Sequence, residues 1–296
     1  MACTIPQGPR LFDHGLHTRP ARHQRIGTRA YLLGALAVVV VLGGHFRQAG
    51  GVSSAPLQRT IDLSGYELTF DETFDRIDVS AWGPGTRWIA HTPWRGDFGD
   101  AEFTDPSPSF PFTVDNGILR IEARKGDDGK WRSGLISSND AKGKGFAQSF
   151  GYFEMRAKLP SGPGVWPAFW LIGDRDPTTK FEIDVIEYYG VNPEKYYSTV
   201  HVWPKDKTVE EQTFQSANNV ASESLTRDFH TYGVSVEPDW IVIYHDRREM
   251  WRTKTPKGLR GPLFLLIDLA LGSGFPIEVA SPVYMYVDYV RAYRKK

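Results

Sequence analysis

Thiols are nearly absent from this sequence: Cys3 is the single cysteine in 296 residues, and an apolar stretch separates it from most of the chain. Beyond that stretch, cysteine catalysis, thiolate metal sites and intrachain disulfides are excluded. Neither sign of charge is in excess, because Lys+Arg and Asp+Glu both total 35. A strongly cationic nucleic-acid binder is therefore disfavoured, and no nucleic-acid partner is expected. Internal repeats, low-complexity tracts and long stretches of helical periodicity are missing too. With 41% hydrophobic and 24% charged residues, the composition is nonetheless that of a folded globular chain.

The charge is unevenly placed. Arg10, Arg19, Arg22, Arg25, Arg29 and Arg47 face only Asp13 in the first fifty residues, which gives +5 there and −5 afterwards. This basic segment leads into the apolar run Tyr31–Leu42, as in export signals. The run is nearer the ~7 to 15 residues of a signal core than the ~20 of a membrane span. Residues 1–50 are thus read as a leader or signal anchor, 51–64 as a linker and 65–296 as one folded domain. The expected location is outside the cytoplasm, secreted or periplasmic, with any membrane contact confined to an uncleaved anchor. A buried core helix is the bland alternative for the apolar run, but its arginine flank lacks acidic partners.

From about residue 60, short runs rich in β-branched and aromatic residues recur between Gly, Pro, Asn and Asp, which reads as all-β. Asn116-Gly117 between two such runs predicts a hairpin. Phe153, Met155, Ala157 and Leu159 alternate with Glu154, Arg156 and Lys158, as in a strand with one wet face. More than ten runs exceed what one flat sheet holds, so two stacked antiparallel sheets, a sandwich or jelly roll, are predicted. The polar stretch Lys205–Arg227 reads as a long surface loop.

Three carboxylates punctuate the apolar run Lys180-Phe-Glu-Ile-Asp-Val-Ile-Glu-Tyr-Tyr189. Glu182 and Asp184 share a face by strand alternation. Glu187 breaks that parity and in a regular strand would bury a charge among apolar groups, at several kcal/mol. A β-bulge near Val185-Ile186 returns it to the same face, and bulges are over-represented beside active sites. Inward-leaning glutamates would then bring their carboxyls to ~5 to 6 Å, the separation a retaining glycosidase uses. Glu182 is the candidate nucleophile, Glu187 the candidate acid/base, and Asp184 a tuning group hydrogen-bonded to Glu182. By itself the pattern is weak. A solvated acidic face is the commoner explanation, and a divalent-metal site lacks the turn-glycine loop of calcium hands.

Context comes from aromatics, for all nine tryptophans lie after residue 80. Trp166 and Trp170 share a strand face, while Trp88, His91 and Trp94 lie in a Gly/Pro-punctuated segment and His201 and Trp203 end another strand. Broad rings with one polar handle suit pyranose faces and their hydroxyl rims. Core packing is the competing reading for each, and Trp94 is the best candidate for exposure.

Between Tyr66 and Tyr293 the chain carries Phe70-Asp-Glu-Thr-Phe74, Ser133-Gly-Leu-Ile-Ser137, Gly151-Tyr-Phe-Glu-Met-Arg156, Trp166-Pro-Ala-Phe-Trp170, Glu182-Ile-Asp-Val-Ile-Glu187, His230-Thr-Tyr-Gly233 and Val287-Asp-Tyr-Val-Arg291. Together these resemble glycoside hydrolase family sixteen, the β-jelly-roll enzymes that include laminarinases, lichenases and agarases, in its bulged, laminarinase-like branch. The resemblance implies a substrate cleft on the concave face and retention of configuration. It also implies Glu182 as nucleophile, Asp184 as assisting acid, Glu187 as acid/base, and Trp166 and Trp170 as cleft residues. Within the family the sequence looks most like bacterial glycanases that trim succinoglycan-type exopolysaccharide at β-1,3/1,4-linked backbones. The implied partner is a polysaccharide, the implied state a monomer, and no cofactor is needed for catalysis. Many members carry a structural calcium, to which Glu72 and Asp288 would contribute. Val236, Asp268 and Phe275 depart from the family's common Trp, Asn and Trp. A glycan-binding protein and a transglycosylase on the same scaffold are the competing functions.

Overall fold

The computed structural model describes residues 59–206, 213–221 and 224–296. The basic leader, its apolar run and most of the expected linker lie outside the described residues, among which no helix is long and apolar enough to cross a membrane. The chain divides after Ser54, and every described residue belongs to the compact unit Ala55–Lys296.

Eighteen strands are found among the described residues. In chain order they begin with β1 (Tyr66–Glu72), β2 (Val79–Ser80), β3 (Trp88–Ile89), β4 (Ala101–Phe103), β5 (Phe112–Asp115) and β6 (Ile118–Lys125). There follow β7 (Trp131–Ser133), β8 (Leu135–Ser137), β9 (Gly151–Lys158), β10 (Val165–Gly173), β11 (Thr179–Glu187) and β12 (Lys195–Pro204). The last are β13 (Thr213–Val220), β14 (His230–Val236), β15 (Trp240–His245), β16 (Arg248–Lys254), β17 (Phe264–Leu271) and β18 (Val283–Lys295).

They form a two-sheet jelly-roll sandwich. One sheet runs β16-β15-β14-β9-β18-β6-β7-β4, with β1 also on β18 and β5 on β6; the other, the cleft sheet, runs β13-β12-β11-β10-β17-β8-β3-β2. Pairing is antiparallel except for two short parallel joins, β2 with β3 and β4 with β7, whose partners are linked by longer connections rather than hairpin turns. The predicted hairpin joins β5 to β6, with Asn116 and Gly117 both in the left-handed region its turn requires.

Phe153, Met155 and Ala157 of β9 face Phe169 and Leu171 of β10 and Ile183 of β11 in one shared core. A second apolar layer, Leu135, Ala168, Trp170, Ile172, Leu266 and Ala270, lies on the opposite face of the cleft sheet and floors the cleft. The predicted wet face of β9 is covered at one point. Glu154 is fully buried, with its carboxylate held by Arg247 at 2.9 and 3.0 Å and by the hydroxyls of Tyr152 and Tyr289.

Two boundaries differ from the sequence reading. The Lys205–Arg227 stretch contains an edge strand, β13, paired along β12 from Thr213 to Val220. Its one large aromatic, Phe214, is exposed, so the backbone ladder holds it without an apolar alternation to announce it. Residues 59–61, expected in the linker, already pair with the fold: Thr60 bridges Arg248, and the Ile61 N–H donates to the Arg247 carbonyl.

Candidate active site

The carboxylate strand is β11, and it is bulged where parity demanded. On the β12 side Asp184 faces Thr199 and Glu187 faces Tyr197, leaving Val185 and Ile186 opposite Ser198 alone. On the β10 side the register also shifts between Asp184 and Ile186. The Ser198 hydroxyl donates to the Val185 carbonyl at 2.7 Å and itself accepts from the Asn219 amide at 2.8 Å, which pins the extra residue. Val185 and Ile186 both join the shared core, so Glu182, Asp184 and Glu187 emerge together on the opposite face.

Each glutamate is gripped by one oxygen. The Trp203 indole N–H donates to Glu182 Oε2 at 3.0 Å, and Lys180 Nζ stands 3.5 Å from the same atom. The Trp166 indole N–H and the Tyr189 hydroxyl both donate to Glu187 Oε1 at 3.1 Å. Glu182 Oε1 and Glu187 Oε2 receive no donor among the described residues. One glutamate therefore presents an oxygen for attack and the other a site for a transferable proton.

Burial raises all three carboxyls above their ordinary range. At Glu182 the Lys180 ammonium and the Trp203 N–H oppose it. At Glu187 the Tyr189 and Trp166 donors oppose it, while the Glu182 charge adds to it. Asp184 is pushed furthest, by burial and then by Glu182, Glu187 and Asp268. Its partner is His201, whose Nε2 lies 3.1 Å from Asp184 Oδ2. Burial and Lys180 push that imidazole down to about 4, so His201 stands beside Asp184 as a neutral ring rather than as the cation of an ion pair. The hydrogen bond expected from Asp184 to Glu182 is not found among the described residues; Asp184 Oδ2 stands instead beside His201, which lies directly across the strand pair from Glu182.

Other expected site residues divide. Trp166 stacks on Tyr189 with ring centroids 5.8 Å apart, and Trp203 on His201 at 5.2 Å; both are half-buried in the cleft wall. Trp94 is 41% exposed and stands edge-on to Trp170. Trp170 itself is buried in the cleft floor, its N–H given to Asp268 at 2.8 Å. Trp88 is not a substrate ligand: it is fully buried in the core, and its N–H is taken by Glu72 at 2.9 Å. His91 is likewise structural, for Asp97 and Asp105 hold its two ring nitrogens at 3.0 and 2.9 Å and Trp82 stacks on its ring.

The expected calcium pair does not fit. Glu72 is saturated by the Trp88 and Phe74 N–H groups and by Arg87 at 2.7 Å, and Asp288 is bonded to Arg156. Arginines supply the positive charge a cation would have brought. Sequence reasoning missed Lys180 and Tyr189, although each lies two residues from a candidate glutamate and so shares its face. Asp268 was noted only as a departure. It is fully buried beneath the cleft, and its carboxyl is pushed up to about 8 by burial.

A jelly-roll sandwich with paired glutamates in an indole-walled cleft defines a glycosidase class of fold. The chain belongs to glycosyl hydrolases family 16, whose profile matches residues 108–263. It is similar to two endo-1,3-1,4-β-glycanases of Rhizobium meliloti, EglC and ExsH. Identity is 31% in both cases, over 79% of this chain and 53% of each relative, so the chain spans about half the length of these proteins. Among solved structures, the catalytic domain of an endo-1,3-β-glucanase from Thermotoga petrophila is 25% identical, with a TM-score of 0.61 over 78% of this chain and 98% of that one. The endo-β-1,3(4)-glucanase SCLam shares the fold at a TM-score of 0.64, over 81% of this chain and 95% of that one.

Proposed function

We propose that this chain is an endo-acting, retaining β-glycan hydrolase that cuts β-1,3/1,4-linked glucan-type polysaccharide, a bacterial exopolysaccharide of the succinoglycan kind. The observation that carries the reading is the complementary grip on Glu182 and Glu187 on one face of the sheet, each with one oxygen held and the other without a donor among the described residues. Glu182 Oε1 attacks the anomeric carbon as the glycosidic C–O bond breaks, and Glu187 gives its proton to the departing oxygen. The glycosyl ester that forms cancels the Glu182 charge, which is one of the influences holding the Glu187 proton. Glu187, left as a carboxylate by the first step, takes a proton from water as the water oxygen attacks the anomeric carbon, the ester C–O bond breaks and Glu182 is released as carboxylate. Water is the only other reactant in this sequence of steps.

The names of the Rhizobium relatives support an endo-acting glycanase and the mixed linkage. Export, with release or tethering through the leader, belongs to the same proposal and rests on the basic segment ahead of Tyr31. Activity confined to the cytosol on cell fractionation would count against it.

The test is the appearance of new reducing ends, with β-configured product by NMR, when the folded protein meets mixed-linkage glucan, laminarin and exopolysaccharide. Glu182→Ala is expected to abolish turnover, and azide to restore cleavage of an aryl β-glucoside with a glycosyl azide as product. Wild-type rates in that variant would remove Glu182 from its role.

A further inference from the structure

On the other sheet, two histidines and an aspartate converge where β14 begins and β15 ends. His245 faces Tyr232 across the β14–β15 ladder, and His230, two residues before Tyr232, is its diagonal neighbour on the same face. Asp246 follows in the turn to β16. Its Oδ1 accepts the Thr231 N–H at 2.9 Å, and its Oδ2 lies 2.8 Å from His230 Nδ1 and 4.0 Å from His245 Nε2.

The His230 ring is flanked by acceptors. Nδ1 meets the Asp246 carboxylate, and Nε2 lies 3.3 Å from the Ser224 carbonyl, an oxygen that can only accept. A neutral imidazole has a single N–H, so one of these contacts would set a lone pair against an oxygen. The arrangement calls for a positive charge, either a second proton on the ring or a metal ion between Nδ1 and Oδ2. A proton involves only His230 and Asp246 and gives His245 Nε2 no part, whereas a metal ion uses all three groups.

We propose that His230 Nδ1, His245 Nε2 and Asp246 Oδ2 bind one divalent transition-metal ion of the zinc class. Two imidazoles and a carboxylate suit that class, while calcium and magnesium prefer oxygen ligands throughout. Tetrahedral bonds of ~2.0 to 2.2 Å set ligand atoms ~3.3 to 3.6 Å apart. The 2.8 and 4.0 Å separations bracket that spacing, and all three atoms lie within 4.8 Å of one another. The surrounding contacts are those that orient metal ligands. A His230 Nε2–H given to the Ser224 carbonyl leaves Nδ1 as the lone-pair nitrogen, and the Thr231 N–H steadies the carboxylate through its other oxygen.

The tyrosines beside the cluster point the same way. Tyr196 and Tyr232 pack their rings 5.9 and 5.5 Å from the His245 ring, and both are fully buried. Neither hydroxyl has a hydrogen-bond partner among the described residues, although buried hydroxyls are rarely left so. Three protein ligands leave a fourth position for water, which is the kind of partner these hydroxyls need. The histidine side chains are buried while that of Asp246 is 39% exposed, so an ion can enter past the carboxylate. Bound there, it ties the start of β14 to the end of β15. Neither Glu182 nor Glu187 takes part, so the inference does not rest on the hydrolase reading.

The test is zinc binding by the chelator-treated full-length protein. Zinc is expected to raise the urea unfolding midpoint of the wild type, increasingly with its free concentration, as binding to the folded state alone requires. A midpoint that zinc leaves unmoved assigns the positive charge to a second proton on His230 and overturns the site. Loss of a group that merely orients a ligand weakens metal affinity ~10- to 100-fold, so His245→Gln and Asp246→Asn, which each remove a ligand, are expected to weaken zinc affinity by calorimetry at least about 100-fold. The asparagine keeps an oxygen for the Thr231 N–H, which preserves the turn. Wild-type affinity in both variants overturns the proposal. His201→Gln controls for the cleft, where Glu182, Asp184 and His201 also come within 4.8 Å of one another, and it is expected to keep the zinc-dependent rise. A rise lost in His201→Gln and kept in His245→Gln would place the ion among the cleft acids and overturn the proposal.

Discussion

Replacing Trp203 with Phe isolates the grip on Glu182. The phenyl ring retains an aromatic face beside His201 and below Lys180, which stands 5.6 Å over the indole, but the N–H donated to Glu182 Oε2 is lost. A hydrogen bond to a charged carboxylate contributes about 1.5–3 kcal/mol. At about 1.4 kcal/mol per pH unit, its removal raises the Glu182 pKa further by about 1–2 units. Glu182 attacks only when ionised, so the acidic limb of kcat/KM moves to higher pH by that amount, and below the limb the rate falls about 10- to 100-fold. The alkaline limb, set by loss of the Glu187 proton, moves little, because the Trp166 and Tyr189 donors are untouched. The assay is kcat/KM for mixed-linkage glucan between pH 4 and 9, with denaturant unfolding as a control for the fold. An acidic limb that stays where the wild type has it would refute the assignment of Trp203 as the donor that keeps Glu182 ionised.

Other substitutions test the corrections that the structure makes. Trp88→Phe orphans a buried lone pair of Glu72 and is expected to cost about 1–3 kcal/mol in urea unfolding while leaving kcat/KM within twofold; a large kinetic loss would return Trp88 to the cleft. Arg247→Met strips the bidentate cation from fully buried Glu154, and a loss of about 3–5 kcal/mol is expected in the same assay. Asp268 keeps its proton in the fold up to about 8, whereas in the unfolded chain it releases it near ~3.9. Its contribution to stability is therefore lost as pH rises through that window, by about 1.4 kcal/mol per unit, and levels off above it. Asp268→Asn, which mimics the protonated form, is expected to flatten the stability profile between pH 5 and 8, and a profile parallel to wild type would show that Asp268 ionises freely.

Periodicity made the fold and the acids legible in the sequence. Phe153, Met155 and Ala157 alternate into the core, and Glu187 falls out of step with Glu182 by an amount only one extra residue repairs. Partners far apart in the chain left no such trace. Trp88 reads as a loop indole until Glu72 takes its N–H, and His91 reads as a ligand until Asp97 and Asp105 close on it. Strand register decides the rest. Glu187 faces Ala168, and Trp166, two residues before it, reaches diagonally to the carboxylate; Glu182 faces His201, and Trp203, two residues beyond, does the same. Diagonal cross-strand neighbours are within reach of long side chains, so each indole sits where it can hold one oxygen without covering the other. The same geometry ties the two glutamates to opposite neighbouring strands, β10 for Glu187 and β12 for Glu182, with the bulge between them. Without the bulge, the β12 register that sets Trp203 against Glu182 would turn Glu187 into the core and away from Trp166.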